Sequence, residues 1–202
     1  MGYHYVVLGA GRQGVALAYD LARNCEAGRV TLADFDAATV QRAVARLAGL
    51  LPGLAAHLTV ATCDVSQPAT VAPLLTSADV VVSAVPYRFN LSLTDLAIAA
   101  GASFCDLGGN TAVVQQQLTR HNRATAAGAS IAPDCGLAPG LGNLLAAHAV
   151  ATLEEAEHAH IRCGGLPDRP VGPLGYKLAF NFDGLINEYS GSGVFLRDGR
   201  RV

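Results

Sequence analysis

A chain of 202 residues, 51% hydrophobic and 15% charged, can bury a sizeable core as one large domain, or as one domain plus part of another. Its net charge of −2 lacks the basic footprint of a nucleic-acid binder, and no uninterrupted apolar run reaches membrane-spanning length, so neither nucleic acid nor membrane is expected as a partner. The five cysteines (Cys25, Cys63, Cys105, Cys135, Cys163) are odd in number and contain no Cys-x-x-Cys pair, which points to reduced thiols and a cytoplasmic protein; the first strand begins too early to leave room for a signal peptide.

The first predicted strand is the apolar run Tyr3 to Leu8. Directly after it stands Gly9-Ala10-Gly11-Arg12-Gln13-Gly14, followed by a helical pattern from Val15 to Asn24. Strand, glycine turn and helix, with Asp34 about 20 residues beyond Gly14, form the constellation of a dinucleotide site. Gly9 permits the tight turn, Gly11 lets the backbone approach a pyrophosphate, and Gly14 lets helix and strand pack closely. The helix N-terminus, with Arg12 and Gln13 in its first turn, offers N–H groups and a positive dipole end. Asp34 stands where an acid accepts hydrogen bonds from both ribose hydroxyls and repels a 2′-phosphate, which favours NAD over NADP. Arg12 can neutralise the pyrophosphate or swing to a 2′-phosphate, which keeps NADP open. Asp34 also reads as the cap of the following turn, with Asp36 a rival for either role.

The alternation continues. Val30 to Ala33 is the second predicted strand, and Asp36 caps a helix from Ala37 to Leu50 that stops before Pro52-Gly53. Leu58 to Cys63 is the third strand and Asp79 to Ala84 the fourth, a continuous apolar run of the buried parallel type. Asn90 caps a helix from Leu91 to Ala100, closed by Gly101. Ala102 to Asp106 is the fifth strand, Thr111 to Ala127 a polar-faced helix, and Ala129 to Ala132 the sixth strand. This order predicts an α/β fold: a Rossmann-type doubly wound parallel sheet over residues 1–133. Residues 134–202 read as the start of a second domain. They hold a glycine-rich turn into a helix from Leu144 to Leu153, a strand from Ala156 to Cys163, further strands at Tyr176 to Asn181 and Gly193 to Leu196, and an Asp198-Gly199 turn. The last residues begin what reads as another strand with no partner in view.

Four further segments complete a pattern: Cys105-Asp106-Leu107-Gly108-Gly109-Asn110, Asp134-Cys135-Gly136-Leu137-Ala138-Pro139-Gly140, Gly164-Gly165-Leu166-Pro167 and Pro173-Leu174-Gly175-Tyr176-Lys177. Together with the glycine fingerprint, and in this order, they resemble the saccharopine dehydrogenase family over nearly the whole chain. The stretch from Phe180 to Tyr189 is most similar to the lysine 6-dehydrogenases of that family, while fungal-type saccharopine reductases share the Pro-Leu-Gly-Tyr-Lys segment. The resemblance implies that residues 134–202 begin an α/β substrate or dimerisation domain that is truncated here. It also implies an NAD-dependent oxidoreductase acting on a C–N bond of a small amino-acid substrate, and a homo-oligomer, dimeric or higher, in the full-length protein. It implies oxidative deamination of the 6-amino group of L-lysine, with a saccharopine reductase or a carboxynorspermidine dehydrogenase-like enzyme as the alternative. A non-catalytic nucleotide-binding module is the third reading.

The remaining candidates lie at strand ends, where open α/β sheets bind ligands. Asp64 ends the third strand and contacts adenine or caps a turn. Ser83, Ala84 and Val85 end the fourth strand, where small residues let the nicotinamide half lie close to the backbone, and Pro86 and Tyr87 continue toward the substrate. Asp106, ending the fifth strand, binds a substrate ammonium or takes its proton, a role the resemblance supports; the other reading is a carboxylate satisfied by loop N–H groups. Cys135 lines the pocket as a small residue. Tyr176 and Lys177 match the family motif on the substrate side, with Lys177 on a substrate carboxylate or in solvent. His158 and His160 share a predicted strand face but lack the further ligands of a zinc site, and no metal is expected.

Overall fold

The computed structural model describes residues 2–165, 167–173, 175, 182, 186, 189–190 and 195–202. They fall into two compact units, Met1–Arg162 and Cys163–Val202. In the first unit, β1 (Tyr3–Leu8), β2 (Ala27–Asp34), β3 (Leu58–Thr62), β4 (Val80–Ser83), β5 (Ser103–Asp106) and β6 (Ile131–Ala132) form one sheet in the order β3-β2-β1-β4-β5-β6. Every pairing in it is parallel. This is the doubly wound order, and the direction in which strands are added to the sheet reverses between β1 and β4.

Alternate side chains of the strands feed two cores, as a sheet covered on both faces requires. On one face Val7, Val30, Leu32 and Val82 pack with Ala18 and Ala22 of α1 (Arg12–Asn24) and Val40, Ala43 and Leu47 of α2 (Ala37–Leu50). On the other, Val6, Leu8, Val81 and Phe104 meet Val71 and Leu75 of α3 (Pro68–Leu75) and Leu93 and Ala97 of α4 (Asn90–Ala100). The buried positions of α1 are Gly14, Ala18 and Ala22, a stripe of small residues at helical spacing that brings the helix axis close to the sheet. The carboxyl ends of β1, β4, β5 and β6 are thereby held in one row, and the glycine turn sits beside them.

Several boundaries differ from the sequence reading for physical reasons. Asp36 does cap α2, accepting from the Ala38 N–H at 3.0 Å. Asn90 is not the cap of α4 but its first residue, with Phe89 before it; it is buried, and its Oδ1 accepts from the Ser83 hydroxyl at 2.8 Å. Gly101 ends that helix at φ 72°. The stretch from Thr111 to Ala127 is two helices, α5 (Thr111–Leu118) and α6 (His121–Ala126), broken where Arg120 and Arg123 turn onto Asp95 of α4. Helix α3 was not expected. The predicted strand from Ala156 to Cys163 has no regular structure: its residues are exposed and pair with no strand among the described residues. Helix α7 (Leu141–Ala151) follows the turn at Gly136–Gly140.

In the second unit, β7 (Leu196–Arg197) and β8 (Arg200–Arg201) form an antiparallel hairpin. The final strand, read from sequence as unpaired, therefore has a partner. Asp198 at φ 49° and Gly199 at φ 73° supply the two left-handed positions that such a two-residue turn demands. The predicted strand at 176–181, with Tyr176 and Lys177, lies outside the described residues, as do residues 193 and 194 of the strand expected at Gly193 to Leu196.

Candidate functional site

The glycine turn joins β1 to α1 at the point where the strand order reverses. Gly9 stands at φ 100°, where a side chain is strained, and a Cβ on it would lie 2.8 Å from the Ala84 carbonyl oxygen. A Cβ on Gly14 would lie 1.7 Å from the Gly9 oxygen, so backbone meets backbone and nothing can yield. Gly11 is different. Its φ of −72° is open to any residue, and a Cβ there would touch nothing within 4 Å. The fold explains Gly9 and Gly14; it does not explain Gly11, whose glycine keeps clear the space directly above the start of α1. No side chain caps α1 and its first turn holds no acid, so the first-turn N–H groups face that space unopposed. Arg12 and Gln13 are exposed there.

Asp34 closes the turn from the side. Its Oδ2 accepts from the Ala10 N–H at 2.8 Å and its Oδ1 from the Asp36 N–H at 3.2 Å. The carboxylate both pins the glycine loop and caps the next turn, and each oxygen keeps a lone pair for a further donor. Asp36, half-buried beside it, is held below the usual carboxylate range by the Thr39 hydroxyl and then by the Ala38 N–H. Arg42 ion-pairs with Asp36 at 3.8 Å. The end of β2 is thus an acidic corner.

Three candidates have other duties. Asp64 accepts from the Ser66 N–H at 2.9 Å, the Ser66 hydroxyl at 2.6 Å and the Gln67 amide at 3.0 Å, which together lower its pKa. It shapes the turn into α3, the second of its two readings. Ser83 is buried and spends its hydroxyl on Asn90, so it lies beneath the surface that Ala84 and Val85 present beside Gly9. Asp106 is fully buried: Oδ1 accepts from the Gly108 N–H at 2.7 Å and the Asp134 N–H at 3.2 Å, and Oδ2 from the Gln117 amide at 2.6 Å. This is the carboxylate satisfied mainly by loop N–H groups. It ties the ends of β5 and β6 to α5 and shows no face to a substrate.

Asp134, absent from the sequence-based candidates, takes the exposed side of that edge. It sits at φ 60°, an uncommon position for a residue other than glycine. It is half-buried, and burial, then the charge of Asp106, raise its pKa against the lowering effect of the Gly109 N–H. Gly108 is glycine for its sake: a Cβ there would lie 1.9 Å from Asp134 Oδ1. Gly109 in turn packs against half-buried Tyr87, whose ring would be 3.1 Å from a Cβ on it. Tyr87, with Pro86 before it, and Asp134 therefore flank one glycine pair, and Cys135 is exposed next to them. A second acid two residues before a glycine, just past a strand (Asp134-Cys135-Gly136, as in Asp106-Leu107-Gly108), was the signal available for Asp134.

Because the folded-state pKa of Asp134 is raised, its ionisation disfavours the fold as pH climbs past the unfolded carboxyl value of about 4. Asp134→Asn removes that charge and suits the left-handed backbone. Its melting temperature should match the parent near pH 4 and exceed it at neutral pH, by about 1 kcal/mol of stability or less. A gap that stays constant or narrows with rising pH contradicts the assignment.

Among the described residues no set of three His, Cys, Asp or Glu side chains converges on a metal-sized site, and His158 and His160 are exposed with ring centroids 6.0 Å apart. No helix among these residues is long and apolar enough to cross a membrane.

Two family models match the chain: the saccharopine dehydrogenase NADP binding domain over residues 5–132 and the saccharopine dehydrogenase C-terminal domain over residues 136–202. The chain belongs to the saccharopine dehydrogenase family. Its first match is to a pyridine-nucleotide-binding domain, and the curated members it resembles are named as dehydrogenases. Saccharopine dehydrogenase [NADP(+), L-glutamate-forming] of Schizosaccharomyces pombe is 27% identical over 149 residues, 69% of this chain and 32% of that protein. The Saccharomyces cerevisiae protein of the same name is 27% identical over 146 residues, 68% of this chain and 31% of its own length. The chain thus spans about a third of the length of the curated relatives it matches. Among solved structures, saccharopine dehydrogenase (L-Glu forming) from Saccharomyces cerevisiae superposes over 100% of this chain and 44% of its own, with a TM-score of 0.69 at 22% identity. A shikimate 5-dehydrogenase from Mycobacterium fortuitum follows at TM-score 0.52 and 22% identity, over 74% of this chain and 50% of its own. At these identities the structural likeness establishes the fold.

Proposed function

We propose that this chain is the nucleotide-binding part of an NAD-dependent oxidoreductase acting on a C–N bond of an amino acid, with the 6-amino group of L-lysine as its first substrate. One observation carries the nucleotide assignment: the clear space over Gly11, bounded by uncapped N–H groups of α1 and by Asp34. The N–H groups suit a pyrophosphate and the remaining lone pairs of Asp34 suit ribose hydroxyls. The curated relatives carry NADP in their names. Here a 2′-phosphate would meet Asp34 and Asp36 together, with Arg42 already engaged, and that corner favours NAD.

A bound nicotinamide supplies a hydride acceptor. Around it the chain presents the half-buried Ala84 and Val85 as a flat apolar wall against which a ring can lie, and Tyr87 excludes water on the substrate side. The substrate amine must lose a proton before its lone pair can assist hydride departure, and the carboxylate open to that edge is Asp134. Asp106 acts through position, by fixing the Asp134 backbone.

The names of the relatives favour a second reading, oxidation of saccharopine itself. Turnover decides between them. The protein with NAD⁺ and L-lysine should form NADH, with saccharopine a poor substitute. Turnover of saccharopine with NADP⁺ and none of L-lysine with NAD⁺ contradicts the proposal.

A further inference from the structure

Outside the nucleotide turn, two thiols lie along one sheet edge without any part in the chemistry above. Cys105 in β5 is half-buried against the α1/α2 core, and its register partner in β6 is Ala132. Past the end of β6 the chain stays alongside β5, because the Cys135 N–H donates to the Asp106 carbonyl at 2.8 Å. The Cys135 thiol turns back along that edge and donates to the Ala132 carbonyl at 3.4 Å, next to Cys105. Ala132 is the register partner of Cys105, so the Cys135 thiol is held beside the position across from Cys105. Neighbouring strands run about 4.8 Å apart, and the turn after β6 folds the Cys135 thiol back onto Ala132, so both thiols lie along one short stretch of this edge.

We infer that Cys105 and Cys135 form a redox-sensitive dithiol that closes to an intrachain disulfide by exchange with a low-molecular-weight disulfide. Cys135 is exposed and is the point of entry; Cys105, shielded behind it, resolves. The Cys135 thiolate attacks one sulfur of the small disulfide, releasing one thiolate and leaving a mixed disulfide. Cys105 then attacks Cys135 Sγ, its proton passing to the departing second thiolate. The protein loses two electrons and two protons, and the small disulfide becomes two thiols. Burial and the neighbouring Cys135 push the Cys105 thiol up to about 12, so the second step is the slower one and the Cys135 adduct precedes the cross-link. Cys63 does not compete: it is buried, with its thiol pushed up to about 11. Closure bonds the end of β5, which carries Asp106, to the segment that carries Asp134. The inference rests on the strand edge alone and stands whatever the enzyme's substrate.

The test is to incubate the folded full chain with glutathione disulfide, quench with an alkylating agent at intervals and map peptides by mass. The expected product is a cross-link between the Cys105 and Cys135 peptides, two hydrogens lighter than the dithiol, appearing after a glutathione adduct on Cys135. Cys105→Ser should stop at that adduct, and Cys135→Ser should leave Cys105 free of glutathione. A wild-type protein that holds the Cys135 adduct without cross-linking, or that joins Cys135 to Cys163 instead, overturns the inference. The wild-type map needs no variant, so poor folding of either serine substitution leaves the test intact.

Discussion

Asp106→Ala is expected to lower the stability of the nucleotide-binding unit by about 3–5 kcal/mol, a large share of the 5–15 kcal/mol typical of a domain. Three N–H donors converge on that buried carboxylate, from Gly108, Asp134 and Gln117, and truncation leaves all three unpaired around a small void. Asp106→Asn separates charge from shape. Its Oδ1 keeps the two backbone donors, while its Nδ2 faces the Gln117 amide. Gln117 can answer by turning its amide, because its Oε1 is buried with no partner in the parent. The asparagine variant should therefore cost only about 1–2 kcal/mol. Chemical denaturation of both variants checks the order. A carboxylate used mainly for substrate binding would show the reverse: a fold nearly indifferent to Asp106→Ala.

The second large effect separates two glycines of one motif. Gly14→Ala places a Cβ 1.7 Å from the Gly9 oxygen and should cost about 4 kcal/mol, because α1 must lift off the sheet. Gly11→Ala meets no atom, and its backbone is unstrained, so its melting curve should stay within about 0.5 kcal/mol of the parent. It should nevertheless weaken nucleotide binding tenfold or more, about 1.4 kcal/mol, because the methyl group occupies the approach to the α1 N–H groups. One glycine belongs to packing and the other to the ligand, and stability and affinity measured on the same two proteins tell them apart.

What the sequence made legible was whatever local pattern decides. The glycine turn, the apolar strands and the Asp36 cap are each set by residues within a few positions of one another, and the strand–helix alternation then restricts the topology. What it hid depends on contacts distant in the chain. Asp106 looked like a substrate acid because Gln117, which closes over it from α5, is a tertiary neighbour with no signal of its own. Asp134 shows only the Asp-x-Gly spacing it shares with Asp106, and its role follows from a positive φ and from Gly108 making room. Helix α3 was masked by its prolines: Pro68 sits in the first turn, where it is tolerated, and Pro73 lies inside, in a helix only 8 residues long. The alternation from Ala156 to Cys163 mimics a strand, yet with no neighbour among the described residues to pair its backbone the period alone builds nothing.

The acidic corner at the end of β2 is the claim on which cofactor choice rests, and equilibrium titration of the folded chain with NADH and with NADPH tests it most directly. NADH should bind at least about tenfold more tightly than NADPH, a difference of about 1.4 kcal/mol, and Gly11→Ala should weaken both. Equal or tighter binding of NADPH, or a Gly11→Ala protein that binds NADH like the parent, would contradict it.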